Sequence, residues 1–253
     1  MTPVEIAEQT RMSAEMWRLN DLRIRAEKSK MKSWQIKQSL VSAVLGIVLT
    51  ALSYAVAYAM SWDVTFNWLD ATAVATSYSC TWLCVVQSRL NYLIGAVSVA
   101  LYSALFFRDG YNALAWFNLY MVGSLVYGYF RWGRDSKPRL VTLLGLDRWT
   151  VVYAAIGISI AVACVVVNQY FPGTFRPVDI WITALSGVAQ ALLDNKRLQT
   201  WPIWFIVNIL SIYTFYQDAT NNHVTGLYIV ALQYVMFTVN TGIGYVSWKR
   251  SLK

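Results

Sequence analysis

Charge is what this sequence has least of. Only 13% of its 253 residues are Asp, Glu, Lys or Arg, where a soluble domain carries about 25%. Glutamate does not occur after Glu27, histidine occurs once, at His223, and cysteine three times, at Cys80, Cys84 and Cys164. Each scarcity excludes a chemistry. Cys80 and Cys84 share a helix face, but two thiols recruit too few partners for a four-ligand metal site. The cysteines therefore read as small packing residues and His223 as a solvated loop residue. Hydrolytic catalysis needs a histidine or carboxylate base, a retinal Schiff base needs a buried lysine, and ion coupling usually needs ionisable groups at membrane depth. None of these lies deep in the apolar runs, so the sequence reads as a non-enzyme that needs no cofactor or metal. Residues 1–37 hold no apolar core of the kind a secretory signal peptide requires.

What is abundant is apolar length. Windows free of Asp, Glu, Lys and Arg cover 38–62, 71–88, 90–107, 110–130, 149–175, 180–193, 198–217 and 219–248. A spanning helix needs about 20 mostly apolar residues, so these predict eight transmembrane helices in an all-α integral membrane protein. The window 180–193 is short and must extend back to Pro177. Twelve Trp and sixteen Tyr suit interfacial belts or a lined pocket. Thr2, Pro3 and Glu5 resemble a capping box that opens an amphipathic arm over 1–37. Lys28, Lys30, Lys32 and Lys37 then form a basic run suited to anionic lipid. With the N-terminus in the cytoplasm, all of the 21 Lys and Arg except Arg108 and Arg176 fall inside. That set includes Arg134, Lys137 and Arg139, and the bias predicts both termini in the cytoplasm. The net charge of +8 thus follows topology and does not indicate nucleic-acid binding.

The chain also resembles itself. WLDATAVATS (68–77) aligns with PVDIWITALS (177–186), which pairs Asp70 with Asp179, Ser77 with Ser186 and, further on, Tyr92 with Trp201. LYSALFF (101–107) resembles IYTFY (212–216), and GYFRW (128–132) matches GYVSW (244–248). The offset grows from 109 to 116 residues. The expected organisation is a cytoplasmic arm (1–37), an extra helix (38–62), a three-helix repeat (66–132), a linking helix (149–171) and a second three-helix repeat (177–250). The spans at 68 and 177 run in the same direction, so the repeats are parallel and give a 3+1+3 core. In transporters of repeated design the substrate lies near the midplane between repeats.

Polar residues inside the windows mark candidate contacts, because an unpaired amide in hydrocarbon costs several kcal/mol. Thr183, Ser186 and Gln190 lie at i, i+3 and i+7 on one helix face. Trp204 and Asn208 lie one turn apart on the next span. Asn118 lies mid-depth, and Gln233 and Asn240 lie at i, i+7 with Tyr234 beside them. With Tyr213 these form the candidate lining set: Asn208, Gln190, Trp204, Asn118, Ser186, Thr183, Tyr213, Tyr234 and Asn240. Amides and aromatic faces suit a flat, hydroxylated, neutral or cationic ligand. The reading is passive movement of such a solute, with a membrane receptor or scaffold as the rival class.

Three segments, NYLIGAVSVALYSALFFRDGYNA, DIWITALSGVAQALLDNKRLQTWPIWFIVN and GLYIVALQYVMFTVNTGIGYVSWKR, resemble the PnuC family of bacterial vitamin transporters over about residues 68–250. The resemblance implies a 3+1+3 fold related to the SWEET sugar transporters, assembled as a homotrimer in the inner membrane. It implies facilitated diffusion of nicotinamide riboside, trapped inside by a cytoplasmic kinase, with thiamine or riboflavin as the alternative cargo. Gln190, Trp204 and Asn208 match positions expected to line the site, as does Asn118 in place of the family's usual Gln. Tyr92 stands where the first repeat often has Trp.

Overall fold

The computed structural model describes residues 3–133, 140–145, 148–222, 224 and 226–252. The expectations for Thr2, His223, Arg134, Lys137 and Arg139 fall outside them. Eight helices follow one another: α1 (Pro3–Ala59), α2 (Trp68–Val85), α3 (Leu90–Arg108), α4 (Asn112–Gly133), α5 (Arg148–Tyr170), α6 (Pro177–Asp194), α7 (Thr200–Asn221) and α8 (Gly226–Arg250). No strand occurs among the described residues, only one bridge between Thr142 and Arg197. The all-α expectation holds, and α6 does begin at Pro177.

Among the described residues, four stretches are long and apolar enough to cross a membrane: Glu15–Ala59 within α1, and helices α3, α5 and α8. Helices α2 and α6 have 18 residues each, α4 and α7 have 22, and all four carry the polar positions noted above. The chain forms two units, residues 1–40 and 41–253. In the first, Lys30, Lys32 and Lys37 are exposed, as are Trp17 and Leu22, and Arg25 pairs with Asp21 one turn back at 2.8 Å.

In the second unit, α2, α3 and α4 pack in succession, and so do α6, α7 and α8. The two trios meet where α2 packs on α8 and α4 on α6, while α5 packs on α6. The apolar part of α1 is held against α2 by polar bonds. Ser79 Oγ donates to the Ser42 carbonyl at 2.9 Å, and the Ser53 and Tyr78 hydroxyls are 2.9 Å apart. A Cβ on Gly46 would overlap Ser79 Oγ and the Ala75 carbonyl, so these helices approach backbone to backbone.

The two ends differ in charge. The acidic end carries Asp70, Asp109, Asp179 and Asp218. There Arg108 pairs with Asp109 at 2.7 Å and Asp70 at 3.4 Å, and Arg176 with Asp218 at 2.6 Å and Asp179 at 2.9 Å. The hydrogen bond to Asp179, reinforced by that to Asp218, holds the Arg176 guanidinium above its ordinary pKa despite partial burial. The basic end carries Arg131, Lys196, Arg197, Lys249 and Arg250.

The basic end is closed by four aromatic side chains. The rings of Tyr92 and Trp132 meet edge to face at 5.0 Å and those of Trp201 and Trp248 at 5.3 Å, with Trp132 and Trp248 6.1 Å apart. Edge-to-face rings at this spacing add about 0.5–1.5 kcal/mol beyond their burial. Trp132 Nε1 donates to the Leu193 carbonyl at the end of α6, and Trp248 Nε1 to the Cys84 carbonyl at the end of α2. The third helix of each trio thus holds the first helix of the other. Both rings are given room by a missing side chain: a Cβ on Gly128 would overlap the Tyr92 ring, and one on Gly244 the Trp201 ring.

These notches make a prediction. Gly128→Ala and Gly244→Ala should each lower stability by about 1–3 kcal/mol, the usual cost of overpacking. Gly123→Ala and Gly242→Ala, whose added methyl would meet nothing within 4 Å, should be neutral or stabilising by about 0.5–1 kcal/mol, since alanine is the better helix former. Thermal unfolding of the four purified proteins in detergent checks the contrast.

Candidate binding site

Between the trios lies a cavity of about 230 Å³. On α3 its lining runs from Asn91 to Phe106, four turns or roughly 22 Å at 1.5 Å per residue. Asn91, Cys84, Leu193 and Trp201 line it toward the basic end, and Phe106, Thr214, Phe215 and Val230 toward the acidic end.

Eight of the nine expected residues line this cavity: Asn208, Gln190, Trp204, Asn118, Ser186, Thr183, Tyr234 and Asn240. The α-helical period explains the α6 set, since Thr183, Ser186 and Gln190 at i, i+3 and i+7 fall on one stripe, and all three are buried. Tyr213 is the exception. It is 62% exposed and does not line the cavity. Five residues beyond Asn208, it is turned about 140° from that side chain. Matching LYSALFF to IYTFY places Tyr213 opposite Tyr102, whereas in the fold Phe106 and Phe215 stack, 6.4 Å apart and 8° from parallel.

The amides are not wholly available. Gln190 Nε2 donates to Asp194 Oδ1 at 2.9 Å, Asn208 Nδ2 to Thr241 Oγ1 at 3.1 Å, and Asn118 Nδ2 to the Leu114 carbonyl at 2.8 Å. Among the described residues, none of the three side-chain carbonyls has a protein partner, so what these residues offer a ligand is acceptors. Donors come from elsewhere. Asn91 Nδ2, Trp201 Nε1 and Thr214 Oγ1 have no partner, but on these lining residues the atoms themselves are covered. Gln233 accepts from the Tyr102 hydroxyl through Oε1, which leaves its amide nitrogen for the cavity.

Asp194 is the last residue of α6 and only 3% exposed, because Tyr92 from α3 and the aromatic closure cover that end. Its Oδ1 accepts from the Tyr92 hydroxyl at 2.9 Å as well as from Gln190. Asp179 serves the start of α6, accepting from the Arg176 backbone N–H at 2.9 Å, and it also lines the cavity. Sequence reasoning missed Asn91, Tyr102 and Phe106. The offset of 109 residues carried a signal for Phe106, because it lands on Phe215. Cys80 and Cys84 are free thiols on the cavity wall, and Cys80 Sγ donates to the Asn91 carbonyl at 3.3 Å.

Comparison with known proteins places this arrangement. A relative from Escherichia coli (strain K12), the nicotinamide riboside transporter PnuC, is 22% identical over 215 residues, covering 74% of this chain and 87% of its own. The protein of that name from Neisseria mucosa is 26% identical over 206 residues, covering 74% of each chain. A crystal structure of the vitamin B3 transporter PnuC superposes with a TM-score of 0.69 at 22% identity, over 85% of this chain and 96% of that one. These proteins are transporters, not enzymes. The model of the nicotinamide mononucleotide transporter family matches residues 67–250, from the start of α2 to the end of α8, and the chain belongs to that family.

Proposed function

We propose that this protein carries nicotinamide riboside across the bacterial inner membrane by facilitated diffusion, with phosphorylation by a cytoplasmic kinase trapping the product. The observation that carries the reading is the cavity's composition. Its wall combines amide carbonyls, the Gln233 amide and the side chains of Trp204, Tyr234, Phe106 and Phe215, and among the described residues it includes no Lys, Arg or His. Aromatic faces attract a cationic ring, and free carbonyls accept from ribose hydroxyls and a carboxamide. A phosphate would enter without a cationic partner and meet Asp179 on the wall, so the same composition favours the riboside over the mononucleotide of the family's description. Thiamine and riboflavin remain the comparison ligands.

The topology that fits this reading has both termini in the cytoplasm, the basic end inside, and two parallel three-helix repeats about a linking α5, the arrangement of the SWEET transporters. Paired contacts at the offsets of the repeat support it: Phe106 with Phe215 and Tyr92 with Trp201 at 109 residues, and Trp132 with Trp248 at 116. On α5 only Tyr153 and Cys164 are buried, while Val151, Ile158 and Val162 are exposed. That apolar surface suits lipid and the neighbouring copies of a homotrimer.

Binding should depend on the amides. Asn208→Leu keeps bulk but removes the cavity carbonyl, and Thr241 keeps its own bond to the Phe237 carbonyl at 2.7 Å. Loss of one buried ligand hydrogen bond should weaken nicotinamide riboside binding by about 1–3 kcal/mol, roughly tenfold or more, as read by calorimetry on folded protein. Undiminished affinity in both Asn208→Leu and Gln190→Leu would reduce these amides to packing groups. Parent protein titrated with thiamine or riboflavin should bind more weakly than with nicotinamide riboside.

Transport should also be uncoupled. In proteoliposomes without a kinase, uptake of nicotinamide riboside should stop at equal concentrations on both sides, whatever sodium or pH gradient is imposed. The pH arm tests Asp194 directly, as a buried carboxylate bonded to a cavity residue. Accumulation driven by either ion would overturn the mechanism.

A further inference from the structure

The cavity's basic end holds a side chain that the cargo reading leaves unused. Asp194 does not line the cavity, yet one of its oxygens receives two donors, the Tyr92 hydroxyl from α3 and Gln190 Nε2 from its own helix, each at 2.9 Å. An ionised carboxylate is an acceptor only. A glutamine side chain has two faces of opposite character, and an acceptor behind it decides which face points forward. With its nitrogen on Asp194, Gln190 turns its oxygen toward the cavity.

The other trio lacks this device. At an offset of 109 residues the counterparts of Gln190, Asp194 and the Tyr92 partner are Thr81, Val85 and Trp201. Trp201 fills the Gly244 notch as Tyr92 fills that of Gly128. With valine in place of the aspartate, Trp201 Nε1 is left buried without a partner. Gln190 and Trp201 lie at one height, because their chain neighbours are bonded, Thr200 Oγ1 donating to the Ala189 carbonyl at 2.8 Å. At that height Gln190 Oε1 is the acceptor that lines this end of the cavity.

We infer that Asp194 is a positioning residue that fixes the polarity of Gln190, so that this end of the cavity selects a primary carboxamide over the corresponding carboxylic acid. The amide nitrogen donates to Gln190 Oε1. A carboxylate in the same place sets an anion against a fixed carbonyl oxygen. The inference rests on the nicotinamide riboside reading, and deepens it by naming the group that is read and the residue that sets the reading.

Asp194→Asn tests this, because it keeps the shape while adding a donor: the new amide can bond Gln190 Oε1 and let the Gln190 side chain turn over. Calorimetry would compare nicotinamide riboside with the riboside of nicotinic acid on parent, D194N and Y92F proteins. The parent should prefer the amide ligand, and D194N should narrow that preference by about tenfold or more, the usual scale for one misdirected buried hydrogen bond. Y92F leaves the carboxylate and its Gln190 bond in place, so the preference should persist even if the fold is weaker. A narrowing of equal size in both variants would mark a general disturbance and overturn the inference, as would a folded D194N protein with the parent's preference or a parent that does not discriminate. Should D194N not fold, Gln190→Met carries the same test: an unchanged preference there overturns the inference. A parent that binds neither riboside would instead refute the cargo reading.

Discussion

The structure of residues 41–253 depends on a crossed pair of tryptophan hydrogen bonds. Trp132 at the end of α4 bonds the last turn of α6, and Trp248 at the end of α8 bonds the last turn of α2. Each bond adds a second donor to a carbonyl in a helix's last turn, beside the backbone N–H of Lys196 at Leu193 and of Gln87 at Cys84, and each reaches from one trio to the other. Tyr92 and Trp201 then fill the remaining space, against glycines that leave no slack. A closure tied in both directions cannot loosen on one side alone. The end of α6 is held by Trp132 and the end of α2 by Trp248, so the trios must part together or not at all.

Above that closure, the cavity exists because its walls are polar where the helices cannot pack face to face. Ser98 Oγ donates to the Ala73 carbonyl and Thr200 to that of Ala189, consuming hydroxyls between neighbouring helices. Gln190, Asn208 and Asn118 each bond through the amide nitrogen, and on these lining residues the carbonyl is left for the cavity.

Much of this was legible in the residue order. Charge-free windows located all eight helices, because exclusion of charge is the strongest constraint a bilayer imposes. The i, i+3, i+7 spacing of Thr183, Ser186 and Gln190 predicted a shared face, and the cavity confirms that they share one. What could not be read was pairing at atomic detail. Asp194 lies four residues after Gln190, which permits their bond, but nothing in the order of residues shows that Tyr92, 102 positions earlier, arrives at the same oxygen. Tyr213 shows the opposite failure. An aromatic in a polar stretch looked like lining, and its phase on α7 turned it outward. Burial at a helix end was also invisible, since hydropathy scores a terminal aspartate as exposed whatever packs over it.

The tight approach of α1 to α2 has a mechanical consequence. Gly46 brings the two backbones together, and Ser79 bonds across to Ser42, so this part of α1 and α2 forms a single stiff plate. The opposite side of α2 is cavity wall, through Ser77, Cys80, Thr81 and Cys84. The α6 trio carries its own flanking helix, α5, which packs on α6 closely enough that a Cβ on Gly157 would press on Val188 and one on Gly187 would overlap Ile160. Each trio is thus backed on its first helix, and a relative motion of the two would carry α1 with α2 and α5 with α6.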